Sequence, residues 1–242
     1  MTITDPPTAL WIHLEALRTL LIRSLIGVGI AALFAWLTIA FWMHLLIWTL
    51  ETSSPHPPTL ALLSPLEGFF ISLKVALSVG FMLSTPYWGW HLFQFIAPAL
   101  HATERRKVIP FLLSTSLTTL LSLYLCYYYS IRYANRYFSQ FNDPLGVNFW
   151  SLSAYFDWAL SLGIAHVLFA LLATLLFFSI HWGIFSYTTL KEYRRHAIVA
   201  SFLLGALFTP PDILSQIFFA IPLILLYELS LIWSRCKIHT KR

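Results

Sequence analysis

Two stretches of this sequence, Ser24 to Leu50 and Val75 to Thr103, run without an aspartate, glutamate, lysine or arginine. Each is longer than the ~20 residues a helix needs to cross a hydrocarbon slab about 30 Å thick. Inside such a slab every backbone N–H and C=O must be satisfied internally, and a helix does this within a single segment. Two further runs qualify: Val108 to Ile131, between Lys107 and Arg132, and Trp158 to Ile180, between Asp157 and His181. Across all 242 residues, 58% are hydrophobic and 10% charged, whereas soluble domains carry about a quarter charged residues. A water-facing surface cannot be built from that supply, so bilayer is the main solvent.

The last apolar stretch, Ala197 to Trp233, is interrupted by Thr209, Pro210, Pro211 and Asp212. Consecutive prolines end a helix, because each lacks an N–H and restricts the residue before it. The stretch therefore reads as a hairpin of two short arms, the first reaching only ~18 Å at 1.5 Å per residue. Such an arm crosses by thinning the lipid or by sheltering in protein. The expected fold is all-α: a polytopic membrane protein of six transmembrane helices, the last two short. The spans are approximately 24–50, 75–97, 108–131, 158–180, 197–208 and 213–233, in one domain covering 1–242. The bundle is expected to present a rigid, concave surface, with kinks near Pro86, Pro110 and Pro222.

Orientation follows from the basic residues, since loops rich in lysine and arginine stay in the cytoplasm. With both ends inside, the cytosolic segments hold Arg18, Arg23, Arg105, Arg106, Lys107, Lys191, Arg194, Arg195, Arg235, Lys237, Lys241 and Arg242. The outer segments hold Lys74, Arg132 and Arg136. The bias survives only if the broken final stretch crosses twice. It also accounts for the net charge of +5 without a nucleic-acid partner. Cys126 and Cys236 are too few for a disulfide framework or metal cluster. The acidic, Pro-rich opening does not read as a cleavable signal. In the first outer loop, Leu66, Phe69, Phe70 and Leu73 share one helical face, which suggests an interfacial helix.

No enzyme motif is present: there is no phosphate-binding glycine loop, nucleophile elbow or zinc-protease helix. A pump or channel is expected to carry several ionisable groups at mid-membrane depth, yet the spans offer His44, His91 and, deepest, His166. Near the cytosolic surface stand Glu15, in LWIHLEALRTLL, and Glu104, in ATERRK. Carboxylates there can take bidentate hydrogen bonds from guanidinium groups, strengthened by a local dielectric below that of water. They are candidate receptors for an arginine-bearing peptide. The plainer reading pairs Glu15 with Arg18 or Thr19 on its own helix and lets Glu104 offset Arg105 to Lys107. Asp212 fits an N-cap of the last helix, Gln216 a contact to a partner helix, and Glu228 a structural pair with Arg235.

Taken together these residues resemble the TatC family, subunits of the twin-arginine protein translocase. The strongest piece is FQFIAPALHATERRKVIP, Phe93 to Pro110, followed by LFTPPDILSQIFFAIPLILLYE, Leu207 to Glu228, with HLEALR at His13 to Arg18 and SPLEGFF at Ser64 to Phe70. The resemblance implies a receptor in the bacterial cytoplasmic membrane that binds the signal peptides of folded export substrates. With single-span TatA- or TatB-type partner subunits it would move them using the proton-motive force. No cofactor is implied, and a homo-oligomer within the receptor complex is. Residue by residue, Glu104 matches the glutamate that binds consecutive arginines, with Phe95, Leu100, Arg105 and Arg106 lining that surface and Glu15 and Arg18 beside it. Tyr127 matches a tyrosine of span three; Thr209, Asp212 and Gln216 match the region meeting partner subunits, and Glu67 an outer-loop acidic position.

The sequence departs from the family twice. The usual N-terminal glutamate position is Ala16, and Glu15 stands one residue earlier, about 100° around the helix. An ungapped match also places Leu171 at the family's buried acidic or amide position. His166 then either takes over the polar role or is a core histidine satisfied by a serine or a backbone carbonyl. Two rivals remain: a small-molecule permease or channel, and an intramembrane enzyme that pairs His166 with Ser161 or Ser179.

Overall fold

The computed structural model describes residues 9–54, 56–96, 105–181 and 187–208, and beyond them helical positions 216–217, 220–221, 224, 227–228, 231–232 and 235. The chain is a polytopic helical membrane protein. Among the described residues, three helices are long and apolar enough to cross a membrane, and a bent pair brings the number to four if it is counted as one span.

Helix α1, Ala9–Leu37, starts well before the uncharged run, because the amphipathic LWIHLEALRTLL continues into it without a breaker. It gives way at Thr38 to α2, Ile39–Glu51. The Thr38 hydroxyl donates back to the Phe34 carbonyl at 2.9 Å and accepts from Trp42 Nε1 at 2.9 Å. Hydroxyl bonding to the preceding turn is a known cause of helix bending. Span one is therefore two helices rather than one.

The expected kink at Pro86 separates α3, Glu67–Leu83, from α4, Thr85–Ile96, with a 56° bend. Pro86 has no N–H for the Met82 carbonyl, four residues back. The Thr85 hydroxyl supplies the missing donor at 2.7 Å. The segment expected as a separate interfacial helix is the first turn of α3, and Phe69 and Phe70 lie exposed on it. Pro110 sits inside α5, Arg105–Leu125, without ending it; Pro222 lies outside the described residues. Helix α5 passes through a π-helical turn, Cys126–Ile131, into α6, Arg132–Asn142. The helix thus continues where the charge pattern suggested a loop, because Arg132 and Arg136 fall on the polar side of an amphipathic segment.

The outer loops meet in a short parallel pair, β1 at Thr59–Ala61 and β2 at Phe149–Ser151, with Leu60 opposite Trp150. Gly146, at φ 145°, makes the turn into β2 that a side chain would resist. Then follow α7, Leu152–His181, and α8, Tyr187–Phe208, which begins ten residues before the apolar arm read from the sequence.

One core joins Ala35, Leu50, Ile71, Val75, Phe156 and Val167 across α1, α2, α3 and α7. Helices α1 and α3 touch backbone to backbone: a Cβ on Gly80 would lie 2.5 Å from the Ala32 nitrogen and Cα. Small residues at such crossings let helices gain van der Waals contact where lipid offers no hydrophobic drive. Gly80→Ala is expected to cost about 1–3 kcal/mol, seen as a lower thermal midpoint in detergent. An unchanged midpoint would mean the crossing is looser than described.

Candidate functional site

Two helices frame the segment that carries Glu104. On α4, Phe93 is 1% exposed and stacks on Phe111 of α5, ring centroids 5.1 Å apart. Trp90 lies 5.2 Å from Phe111, and Phe178 of α7 5.3 Å from it on another side. Phe111 is fully buried where these rings meet. Glu104 and Leu100 lie outside the described residues; Arg105 and Arg106 open α5, and Phe95 is half-buried on the last turn of α4. One aromatic cluster thus holds the end of α4 and the first turns of α5 together.

Helix α1 reaches the same end of the bundle. Gly27 packs on the Tyr87 ring, 2.5 Å from where a Cβ would stand. From that crossing, equal numbers of residues lead back along α1 to Arg18 and forward along α4 to Ile96, and both helices rise 1.5 Å per residue. Glu15 and Arg18 are exposed there. Thr19 donates to the backbone oxygen of Glu15 at 2.9 Å, not to its carboxylate. Among the described residues the ion pairs are Lys74–Asp157 and Arg194–Glu228, and Glu15 has no cationic partner among them.

On the opposite face Glu67 works as a staple. Its carboxylate accepts from the backbone N–H groups of Leu63, Ser64 (3.2 Å) and, across the chain, Ser153 (3.0 Å) at the start of α7. These donors, that of Leu63 first, hold its pKa below the ordinary glutamate value, with Lys74 adding a little. A carboxyl whose folded value is depressed stabilises fully above the ordinary range, ~4.3, and loses this as pH falls through the lowered value. Acidification through that lowered value is therefore expected to free the Ser153 amide, read as faster hydrogen exchange there. Exchange independent of pH beyond its intrinsic acid–base dependence would remove the staple.

The remaining candidates fall in separate places. The Tyr127 hydroxyl donates to the Leu45 carbonyl at 3.0 Å, tying the π turn to α2. His166 Nδ1 lies 2.9 Å from the Leu162 carbonyl and Nε2 3.1 Å from the Ser130 hydroxyl. It is a core histidine satisfied by a backbone carbonyl and a serine, which comes from the π turn rather than from positions 161 or 179. Sequence spacing does not reveal Ser130, because the two residues sit on different helices. Gln216 donates to the Phe202 carbonyl at 2.9 Å, joining the helical positions that follow to α8. Glu228 pairs with Arg194 of α8 rather than with Arg235. Thr209 and Asp212 lie outside the described residues. Among the described residues no three histidine, cysteine or carboxylate side chains gather as for a metal.

The family model for TatC, the Sec-independent protein translocase protein, matches residues 12–222. The chain belongs to the TatC family. Similar TatC proteins include those of Helicobacter pylori strain J99, 32% identical with 91% of this chain and 86% of the relative covered, and of Aquifex aeolicus, 32% identical over 95% and 96%. The Escherichia coli K12 protein is 29% identical over 92% and 86%. A crystal structure of the twin arginine translocase receptor TatC superposes with a TM-score of 0.80 at 30% identity, covering 93% of this chain and 98% of that one.

Against the TatC pattern, Leu171 is 2% exposed and packs onto Gly89, where an added Cβ would lie 2.5 Å from the Leu171 Cδ1 atom. It belongs to the aromatic cluster with Trp88, Phe93 and Phe111. His166, five residues earlier, is turned about 140° around α7 from it and faces the π turn. The structure therefore does not bring the histidine to Leu171's position.

Proposed function

We propose that this TatC-family chain is the receptor for twin-arginine signal peptides, binding the paired guanidinium groups through Glu104 with Glu15 as second carboxylate. The observation that carries this is the exposed Glu15 of α1, without a cationic partner among the described residues, at the end of the bundle where α4 ends and α5 begins. Likeness over nearly the whole chain to a solved twin arginine translocase receptor supports it. Phe95, Leu100, Arg18, Arg105 and Arg106 line the same surface, Tyr127 lies along the inserted peptide, and Thr209, Asp212 and Gln216 meet single-span TatA- or TatB-type subunits. The chain crosses the bacterial cytoplasmic membrane six times with both ends inside, as its basic residues favour. It assembles with copies of itself, and the proton-motive force drives export of folded proteins.

The deciding experiment places a photo-crosslinker at position 104 and offers substrates whose signals carry Arg-Arg or Lys-Lys. Guanidinium groups bind carboxylates in bidentate fashion and ammonium groups do not, so crosslinking is expected to follow Arg-Arg. A permease or channel would show no difference and would move a solute across liposomes without partners.

A further inference from the structure

Arg132 stands where the π turn becomes α6, and it is held before any ligand arrives. Its guanidinium carbon lies 5.6 Å from the Trp48 ring centroid and 5.9 Å from that of Tyr128. Nη2 donates to the Thr52 hydroxyl at 2.9 Å. Two aromatic faces and one hydrogen bond fix the group, leaving other N–H donors of the fork uncommitted. Among the described residues it has no ion pair, although Glu51 is exposed one residue from Thr52. Trp48, Tyr128, Tyr129 and Tyr133 are exposed around it, an aromatic belt of the kind that marks the lipid headgroup level.

Directly below, within one or two helical turns, lies an apolar cavity of about 120 Å³. Its lining includes Leu45 and Leu46 of α2, Leu123, Tyr127 and Ile131 beside Arg132, and Leu160 of α7. The size is close to that of the ~150 Å³ engineered cavity that takes a benzene molecule. Tyr127 joins the two features: it stacks on Trp48, ring centroids 6.4 Å apart, and its hydroxyl holds the Leu45 carbonyl. The π turn supplies Tyr127, Tyr128 and Ile131 together, and single π turns frequently occur at functional sites.

We propose that Arg132, clamped by Trp48, Tyr128 and Thr52, binds the phosphate of an outer-leaflet phospholipid whose acyl chain enters the cavity between α2, the π turn and α7. A fixed guanidinium at headgroup depth offers charge-assisted hydrogen bonds to a phosphate diester. The cavity offers a dry slot to the first methylenes beneath it. Arg132 and its clamp lie apart from the carboxylates proposed to receive the arginines, and Tyr127 alone is shared with the proposed peptide path, so failure of one reading leaves the other standing.

The test titrates the purified full chain in detergent with phosphatidylglycerol, or with a diacylglycerol of the same chains, counting bound molecules by native mass spectrometry. Phosphatidylglycerol is expected to bind roughly tenfold more tightly, a preference worth about one charge-assisted hydrogen bond. Arg132→Gln should abolish that preference while leaving signal-peptide binding unchanged. Leu123→Trp, which fills the cavity and keeps the clamp, should weaken both lipids together. Equal affinity of the unaltered chain for the two lipids overturns the proposal, as does full competition by inorganic phosphate, which would place no chain in the cavity.

Discussion

Glu104→Ala is expected to abolish measurable binding of a peptide carrying consecutive arginines. Removing one partner of a hydrogen-bonded charge pair costs about 2–5 kcal/mol, or roughly 30-fold to several thousand-fold in dissociation constant. Glu104→Gln keeps the shape and one acceptor but loses the charge, so it should sit close to Ala rather than to the unaltered chain. The same titration with Glu15→Gln separates the two carboxylates. If α1 presents Glu15 to the peptide despite its displacement from position 16, affinity falls by a smaller but measurable factor, and moving the acid by the double change Glu15→Ala, Ala16→Glu should restore it. Calorimetry in detergent at low and moderate salt reads both, because interfacial ion pairing weakens as ions screen it. Unchanged affinity in Glu104→Ala would count against the receptor reading itself.

Phe111→Ala should be the most damaging core change near the site. The ring is fully buried between Trp90, Phe93 and Phe178. Truncation leaves a void that these rings can collapse into only in part, with a cost of about 3–5 kcal/mol. The effect reaches function because Phe93 and Phe111 fix the two helix ends that carry the Glu104 connection. Thermal unfolding in detergent should show the loss, and whatever folded protein remains should bind the arginine peptide more weakly. Phe111→Leu, which keeps most of the volume, should recover most of both. A variant with full stability and weak binding would instead place Phe111 in the peptide site.

The membrane-spanning character, the Pro86 bend and the family were legible because each rests on local chemistry. An uncharged run must be satisfied by its own backbone, a proline removes one N–H, and ERRK and TPPD are contiguous strings. The exceptions are instructive. Thr38 splits the first span through side-chain bonds to Phe34 and Trp42, which compete with a pattern that is apolar throughout. The helix runs past Arg132 because a charge at the membrane edge ends the hydrocarbon-facing surface and not the helix.

Sequence by itself determined that the chain lives in lipid, where its uncharged runs fall, and to which family it belongs. Tertiary structure decided which polar groups find each other: Glu67 with the amide of Ser153, His166 with Ser130, Glu228 with Arg194 and Arg132 with Thr52. Hydropathy and charge act residue by residue and can be read in a line. Pairings between helices depend on rotation and depth, which are set by contacts such as Gly80 against Ala32 that appear only once the helices are packed.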